Sequence, residues 1–240
     1  MYIFLKKITK KLIPKNILYR NEFLFRKLIY LKYKGNNYHC NACNARLKKF
    51  IPITDDLLCP ACGSRSRTRL LWQILKEKHL IKGTVLDFSP PRIIYRNLKK
   101  HTGIEYYSSD FENEFIADYH FDITKIEKEA NSFDLIMCFH ILEHISNDEK
   151  AINELYRVLK KEGIGLIQTP FKEGDIYEDY TIVSEEERLK AFGQEDHVRV
   201  YSVKGLTERL EKSGFKVTSI EQQPIPHLGI NTETILLVKK

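Results

Sequence analysis

Hydrophobic and polar positions along this chain follow two different periods. From Leu5 to Leu31 apolar residues recur at helical spacing, with Leu24, Leu28 and Leu31 in one row and Phe25 and Ile29 beside it, while Lys and Arg fill the gaps and Pro14 interrupts the run. One or two basic amphipathic helices are predicted there. From Gly83 onward, short apolar runs of strand length alternate with helix-like segments, and strands are predicted at 84–88, 105–109, 133–139, 165–169, 215–220 and 234–238. Between the third and fourth, Ser146-x-x-Glu149 has the form of a capping box, Ile152, Leu155 and Leu159 share a face, and Lys160-Lys161 followed by Gly163 would close the helix. A second helix is predicted from Ser202 to Ser213, ending at Gly214. Strands alternating with helices mean an α/β fold, a mostly parallel sheet with helices on both faces and ligands at the carboxyl ends of the strands.

Composition adds an asymmetry. The chain of 240 residues carries a net charge of +7, but residues 1–82 hold 19 Lys and Arg against 4 Asp and Glu, and the remainder is acidic. A basic front suits an anionic surface, either a membrane leaflet or nucleic acid, whereas an acidic body argues against nucleic acid around the main domain. A solvated basic helix that only keeps the chain soluble explains the charge equally well. No run approaches a membrane span, and the N-terminus has neither a basic region ahead of its apolar run nor a small-residue cleavage site, so a cytoplasmic protein is expected.

The sharpest chemical signal is Cys40-x-x-Cys43 and Cys59-Pro-Ala-Cys62-Gly63, two tight knuckles separated by fifteen residues. Four thiolates in this spacing complete a tetrahedral sphere around Zn²⁺ and leave no open position, so the metal would be structural. An iron site of the rubredoxin kind uses similar knuckles, and two disulfides are the remaining reading. Cys138, alone in an apolar run, reads as a core residue. Arg65, Arg67 and Arg69 alternate after the second knuckle and suit a phosphate or carboxylate, but Leu70, Leu71, Ile74 and Leu75 favour a packed helix leading into the next domain.

His140-x-x-Glu143-His144 has the reversed form of a zinc-protease pattern. That chemistry needs both histidines one turn apart inside a helix, and the apolar run before His140 is a strand, so His140 lies at a strand end instead.

Taken together, the strand Val85-Leu86-Asp87-Phe88, Asp110 closing the second strand, Phe121-Asp122-Ile123-Thr124, the segments at 132–145 and 157–170, and the downstream Phe192 to Ser202 resemble the class I S-adenosylmethionine-dependent methyltransferases. The likeness covers about residues 83 to 240, is most specific in its middle third, and is nearest to type 11-like members with an N-terminal zinc ribbon, a kind linked to cell-surface glycan assembly. It implies a Rossmann-like sheet, S-adenosylmethionine as cofactor beside structural Zn²⁺, and transfer of a methyl group to a hydroxyl or similar group of a saccharide or glycan precursor. It also implies that Asp110 takes the ribose hydroxyls, Asp122 the adenine amino group with the Ile123 backbone nearby, and Asp87 supports the methionine end, with Phe88, Ser89 and Phe139 lining the site. Where the family places a Gly-x-Gly loop, this chain has Ser89-Pro90-Pro91. S-adenosylmethionine has no pyrophosphate to cradle, which makes that loop less indispensable, and two prolines can hold it open.

A hydroxyl acceptor needs a base, and the candidates are His140, Glu143, His144 and His197. A few metal-dependent methyltransferases place a metal on Glu-x-x-Glu-His at this strand end, where His140 stands in for the first Glu. The expected division is a basic helical segment over 1–36, a zinc ribbon over 37–66, a linking helix over 67–82 and the methyltransferase domain over 83–240. Residues 1–34 are an expected anionic-membrane contact, which would make the protein peripheral to the membrane. An RNA methyltransferase and a non-catalytic scaffold with a decayed cofactor site are the rival readings.

Overall fold

In the computed structural model, which describes residues 15–54 and 56–240, the chain divides into two compact units. The first reaches to Gln73 and takes back residues 224–231; the second holds 74–223 and 232–240. Sequence reasoning assigned all of 83–240 to one domain. The return of 224–231 is fixed within the first unit by the buried Arg69, whose Nη2 donates to the Gly229 carbonyl, and by the Asn231 amide, which donates to Ser66 Oγ at 2.8 Å.

The first unit opens with helix α1 (Lys15–Tyr33) and continues through two antiparallel pairs, β1 (Lys34–Cys40) with β2 (Ala45–Leu47), and β3 (Ile51–Ile53) with β4 (Asp56–Leu58). The basic segment predicted over residues 1–14, including Leu5 and Pro14, lies outside the described residues. On α1, Leu24, Phe25, Leu28 and Leu31 are all exposed, so the apolar row read from the sequence is not covered by this unit. Helix α2 (Ser66–Glu77) follows the ribbon and spans the boundary after Gln73, with Leu70, Leu71, Ile74 and Leu75 all buried as a packed helix requires.

The second unit is built on β5 (Gly83–Phe88), α3 (Arg92–Lys99), β6 (Ile104–Ser109), β7 (Phe133–Phe139), α4 (Asp148–Val158), β8 (Leu159–Gln168), β9 (Tyr177–Glu178), α5 (Glu185–Phe192), β10 (Arg199–Val200), α6 (Val203–Lys212), β11 (Lys216–Gln222) and β12 (Glu233–Lys239). Six of its strands form one sheet in the order β11-β12-β8-β7-β5-β6. Strands β8, β7, β5 and β6 are parallel, and β12 and β11 add antiparallel at one edge. The central strands are apolar and buried on both faces: on one, Leu86, Phe133, Ile136, Cys138 and Ile167 share a cluster with Ile152 and Leu155 of α4 and Leu206 and Leu210 of α6, and on the other Val85, Leu135, Met137 and Leu166 are buried. Cys138 is therefore the core residue expected.

Two local readings are corrected. The N-cap of α4 is Asn147, whose side chain accepts from the Lys150 amide at 3.0 Å, and not Ser146, whose carbonyl is taken by Arg199. Lys160 to Gly163 do not close that helix. Leu159 pairs with Phe133 in the sheet, both fully buried, and this burial draws Leu159 and the lysines after it into β8. The end of α6 matches expectation, with Ser202 capping its start and Gly214 following at φ 101°.

Candidate active site

Strand β5 has β6 on one side and β7 on the other. The chain leaves a strand in opposite directions at such a reversal, and the parting connections open a crevice at the carboxyl ends. At the end of β5, Phe88 is buried and Ser89 adopts a left-handed φ of 45°, a conformation that costs any residue with a side chain about 1 kcal/mol or more. Two bonds hold it there. Its amide donates to the Ser109 carbonyl at 2.7 Å, and its Oγ donates to Asp110 Oδ1 at 2.7 Å. Pro91 then occupies the N-cap position of α3.

Asp110 is buried, and its Oδ2 accepts from the amides of Glu114 at 2.5 Å and Phe115 at 2.9 Å. A carboxylate offers about four lone-pair positions, so with three engaged Asp110 has one left, on Oδ1. It ties the loops after β5 and β6 together and retains capacity for one further donor. Asp87 is buried inside β5, where its carboxylate accepts from Tyr106 Oη at 2.9 Å. Burial pushes the Asp87 carboxyl up to about 7, against the opposing pull of the tyrosine bond. Asp122 stands on an exposed turn; the amide and hydroxyl of Thr124, both 2.8 Å from Oδ1, hold its carboxyl below the ordinary range. The Ile123 side chain is in the core.

The end of β7 carries the second cluster. Phe139 is buried, and His140, at φ 57°, is held in this left-handed conformation by its amide bond to the Gln168 carbonyl at 2.8 Å. His140 Nδ1 lies 3.3 Å from Glu143 Oε1, and a 3₁₀ turn at Leu142–His144 carries the buried Glu143 and His144. His197 arrives from the segment after α5, anchored by the Val198 amide on the Glu143 carbonyl at 2.9 Å. Its ring meets that of His144 edge to face at 4.7 Å. Ligand atoms of Glu143, His144 and His197 all lie within 4.8 Å of one another. His197 is buried, which lowers its imidazole below the ordinary value while Glu143 opposes. The four predicted catalytic residues thus meet at one strand end.

Sequence reasoning missed the residue that holds this cluster in place. Arg199 is fully buried: Nη1 donates to the carbonyls of Leu142, at 3.1 Å, and Ile145, Nη2 to that of Ser146 at 2.9 Å, and Nε to Glu178 Oε2 at 2.9 Å. Its guanidinium therefore organises the loop bearing Glu143 and His144. A usable signal was Arg199 sitting between Val198 and Val200, an inward-facing cation that needs buried acceptors. Gln168 Oε1 and Thr169 Oγ1, at the end of β8, were also missed; both are buried without a hydrogen-bond partner among the described residues, as groups that face a ligand are.

In the first unit, Cys40, Cys43, Cys59 and Cys62 come together as free thiols. The Sγ separations are 3.7 Å for Cys40 and Cys62 and 3.8 Å for Cys43 and Cys59. Four thiolates at about 2.3 Å from a tetrahedral ion lie roughly 3.8 Å apart, so the pocket fits zinc. Ser64 Oγ approaches Cys40 and Cys62 at 3.3 and 3.2 Å, and Arg69 Nη1 donates to the Ser64 carbonyl at 2.6 Å, which places a buried cation beside the thiolates. Arg69 is thus used inside the ribbon.

A family model described as a methyltransferase domain matches residues 62–220. Among solved structures, an S-adenosylmethionine-dependent methyltransferase from Mesorhizobium loti superposes with a TM-score of 0.52 at 14% identity, covering 70% of this chain and 97% of the other. A Listeria monocytogenes protein assigned to the same activity gives 0.51 at 17% identity, covering 73% and 98%. At these identities the likeness is one of fold. An uncharacterized protein of Methanocaldococcus jannaschii is 34% identical over 76 residues, 30% of this chain and 33% of the other, so the chain matches about a third of that relative's length. Among the described residues no helix is long and apolar enough to cross a membrane.

Proposed function

The chain belongs to the methyltransferase-domain family, and on that premise we propose that it transfers a methyl group from S-adenosylmethionine to a hydroxyl or similar group of a saccharide or glycan precursor. The observation that carries the reading is the pairing of two clusters at one end of the sheet, Ser89 with Asp110 after β5 and β6, and His140 with Glu143 after β7. The first fits the cofactor. The free lone pair of Asp110 accepts a ribose hydroxyl, the exposed Asp122 with the Ile123 backbone suits adenine, and the left-handed Ser89 turns the loop aside as a glycine would.

S-adenosylmethionine supplies a methyl group activated on a sulfonium. As the acceptor oxygen forms its bond to the methyl carbon and the carbon–sulfur bond breaks, the acceptor must lose a proton. His140, partly exposed and with Glu143 Oε1 beside its Nδ1, is placed to take it. Holding donor and acceptor in line does the rest. An acceptor with a proton to lose is what this cluster supports, and the saccharide assignment rests on the resemblance of the zinc-ribbon arrangement.

The four cysteines would hold structural zinc. The uncovered apolar row on α1, flanked by Lys27 and Lys32, supports a contact between residues 1–34 and anionic membranes; equal sedimentation with neutral and anionic vesicles would remove it. Transfer of label from methyl-labelled S-adenosylmethionine onto a panel of saccharides and, as the rival acceptor, RNA tests the main reading. Labelled RNA with unlabelled saccharides would overturn the acceptor class.

A further inference from the structure

We propose that Glu143, His144 and His197 form a second metal site, distinct from the cysteine cluster, that takes one divalent first-row transition ion beside the acceptor position. Three observations carry this. The three side chains bring a carboxylate oxygen and two imidazole nitrogens within 4.8 Å of one another, although they come from a 3₁₀ turn and from a segment more than fifty residues downstream. His197 is 3% exposed and its Nε2 is buried with no hydrogen-bond partner among the described residues, a state that leaves a strong acceptor unsatisfied inside the protein. Each imidazole also has its other nitrogen engaged: the backbone of Phe192 bonds the His197 ring, and Asp196 Oδ2 lies 3.2 Å from His144 Nδ1.

The last feature is the most telling. Metal-bound histidines generally donate their second ring N–H to a carbonyl or carboxylate, which fixes the tautomer and aims the other nitrogen at the ion. Both histidines here have such a partner, one of each kind. The anchoring of this geometry is independent of any ion, since the Val198 amide bonds the Glu143 carbonyl and Arg199 holds the carbonyls of Leu142 and Ser146. Two imidazoles and one carboxylate form a borderline donor set that suits zinc, iron or cobalt over magnesium or calcium. Three protein ligands leave coordination positions open, unlike the closed four-sulfur site. The proposal rests on the methyltransferase reading only for what fills those positions, an acceptor oxygen whose proton the ion would make easier to remove.

The test is titration with Co²⁺ of full-length protein that holds one zinc per chain, the amount that fills the four-cysteine site, followed by visible absorption and by counting bound cobalt after desalting. The wild type should take up one cobalt per chain with the spectrum of nitrogen and oxygen ligands. His197→Gln and Glu143→Gln should each weaken uptake by roughly tenfold or more, and Asp196→Asn by about tenfold to a hundredfold if it is an outer partner of His144. Unchanged melting temperatures and retained affinity for S-adenosylhomocysteine verify that the variants fold. No cobalt beyond the cysteine site, or uptake equal in wild type and the His197 and Glu143 variants, would overturn the proposal. Cofactor affinity is read separately in the same samples, so loss of the metal site and failure of the methyltransferase reading give different results.

Discussion

Replacing Arg199 by Met should unfold the turn that carries Glu143 and His144 before it unfolds anything else. The guanidinium is fully buried and donates to three backbone carbonyls and to Glu178, with Asp148 Oδ2 3.8 Å away. Hydrogen bonds to a charged group contribute about 1.5–3 kcal/mol each, but adding four of them would give about 6–12 kcal/mol, as much as the whole stability of an ordinary domain. Contributions within one network are not additive, and removing one partner of a buried pair costs about 3–5 kcal/mol, which is the figure expected for Arg199→Met. Lysine can reach one or two of the acceptors but cannot span all of them, so Arg199→Lys should recover part of the loss. Urea denaturation gives the free energies, and titration with S-adenosylhomocysteine gives the functional split. The cofactor contacts lie at the ends of β5 and β6, so a folded Arg199→Lys should bind the cofactor normally while methyl transfer falls. A loss below about 1 kcal/mol in Arg199→Met, or equal damage to cofactor binding and transfer, would refute this role.

Asp87 makes stability depend on pH. Its folded carboxyl titrates near 7 against 3.8 in the ordinary state, so the folded protein holds this proton more tightly; the stabilisation is complete below about pH 4 and lost as pH rises through 7. Taken at full value the swing is about 4 kcal/mol, and Asp87→Asn should flatten it, which thermal melts from pH 5 to 8 will show as a smaller drop than in wild type. At Ser89, alanine removes the bond to Asp110 while keeping the left-handed strain, whereas glycine loses the bond but relieves about 1 kcal/mol of strain, so Ser89→Gly should be the milder variant in denaturation. Cys59→Ser should release the metal of the ribbon and melt the first unit, because structural zinc contributes on the order of 10 kcal/mol to small modules; elemental analysis finding neither zinc nor iron in the wild type would end that expectation.

The sheet was readable because its strands are short apolar runs bounded by polar turns, and 133–139 matches residue for residue. The cysteine knuckles were readable because ligand spacing is a local property. What escaped depends on distant partners. Nothing near Ser146 reveals that Arg199, fifty-three residues on, takes its carbonyl and leaves capping to Asn147. The lysines after Leu159 favour a helix by themselves, but pairing with Phe133 overrides that preference. Ser89 and His140 adopt left-handed backbone at two strand ends, which their residue types do not announce, and each is held by a bond to a neighbouring strand. His197 was singled out from its motif, whereas its meeting with Glu143 and His144 is a fact of tertiary structure alone.

The central claim is that a serine-proline loop and a largely engaged aspartate still make a cofactor site. Isothermal titration of the full-length protein with S-adenosylhomocysteine tests it most directly. One molecule should bind per chain, and Asp110→Ala, which removes one bond from a charged acceptor worth about 1.5–3 kcal/mol, should weaken binding by roughly tenfold to a hundredfold. No heat from the wild type, or an affinity unchanged in Asp110→Ala, would contradict the account.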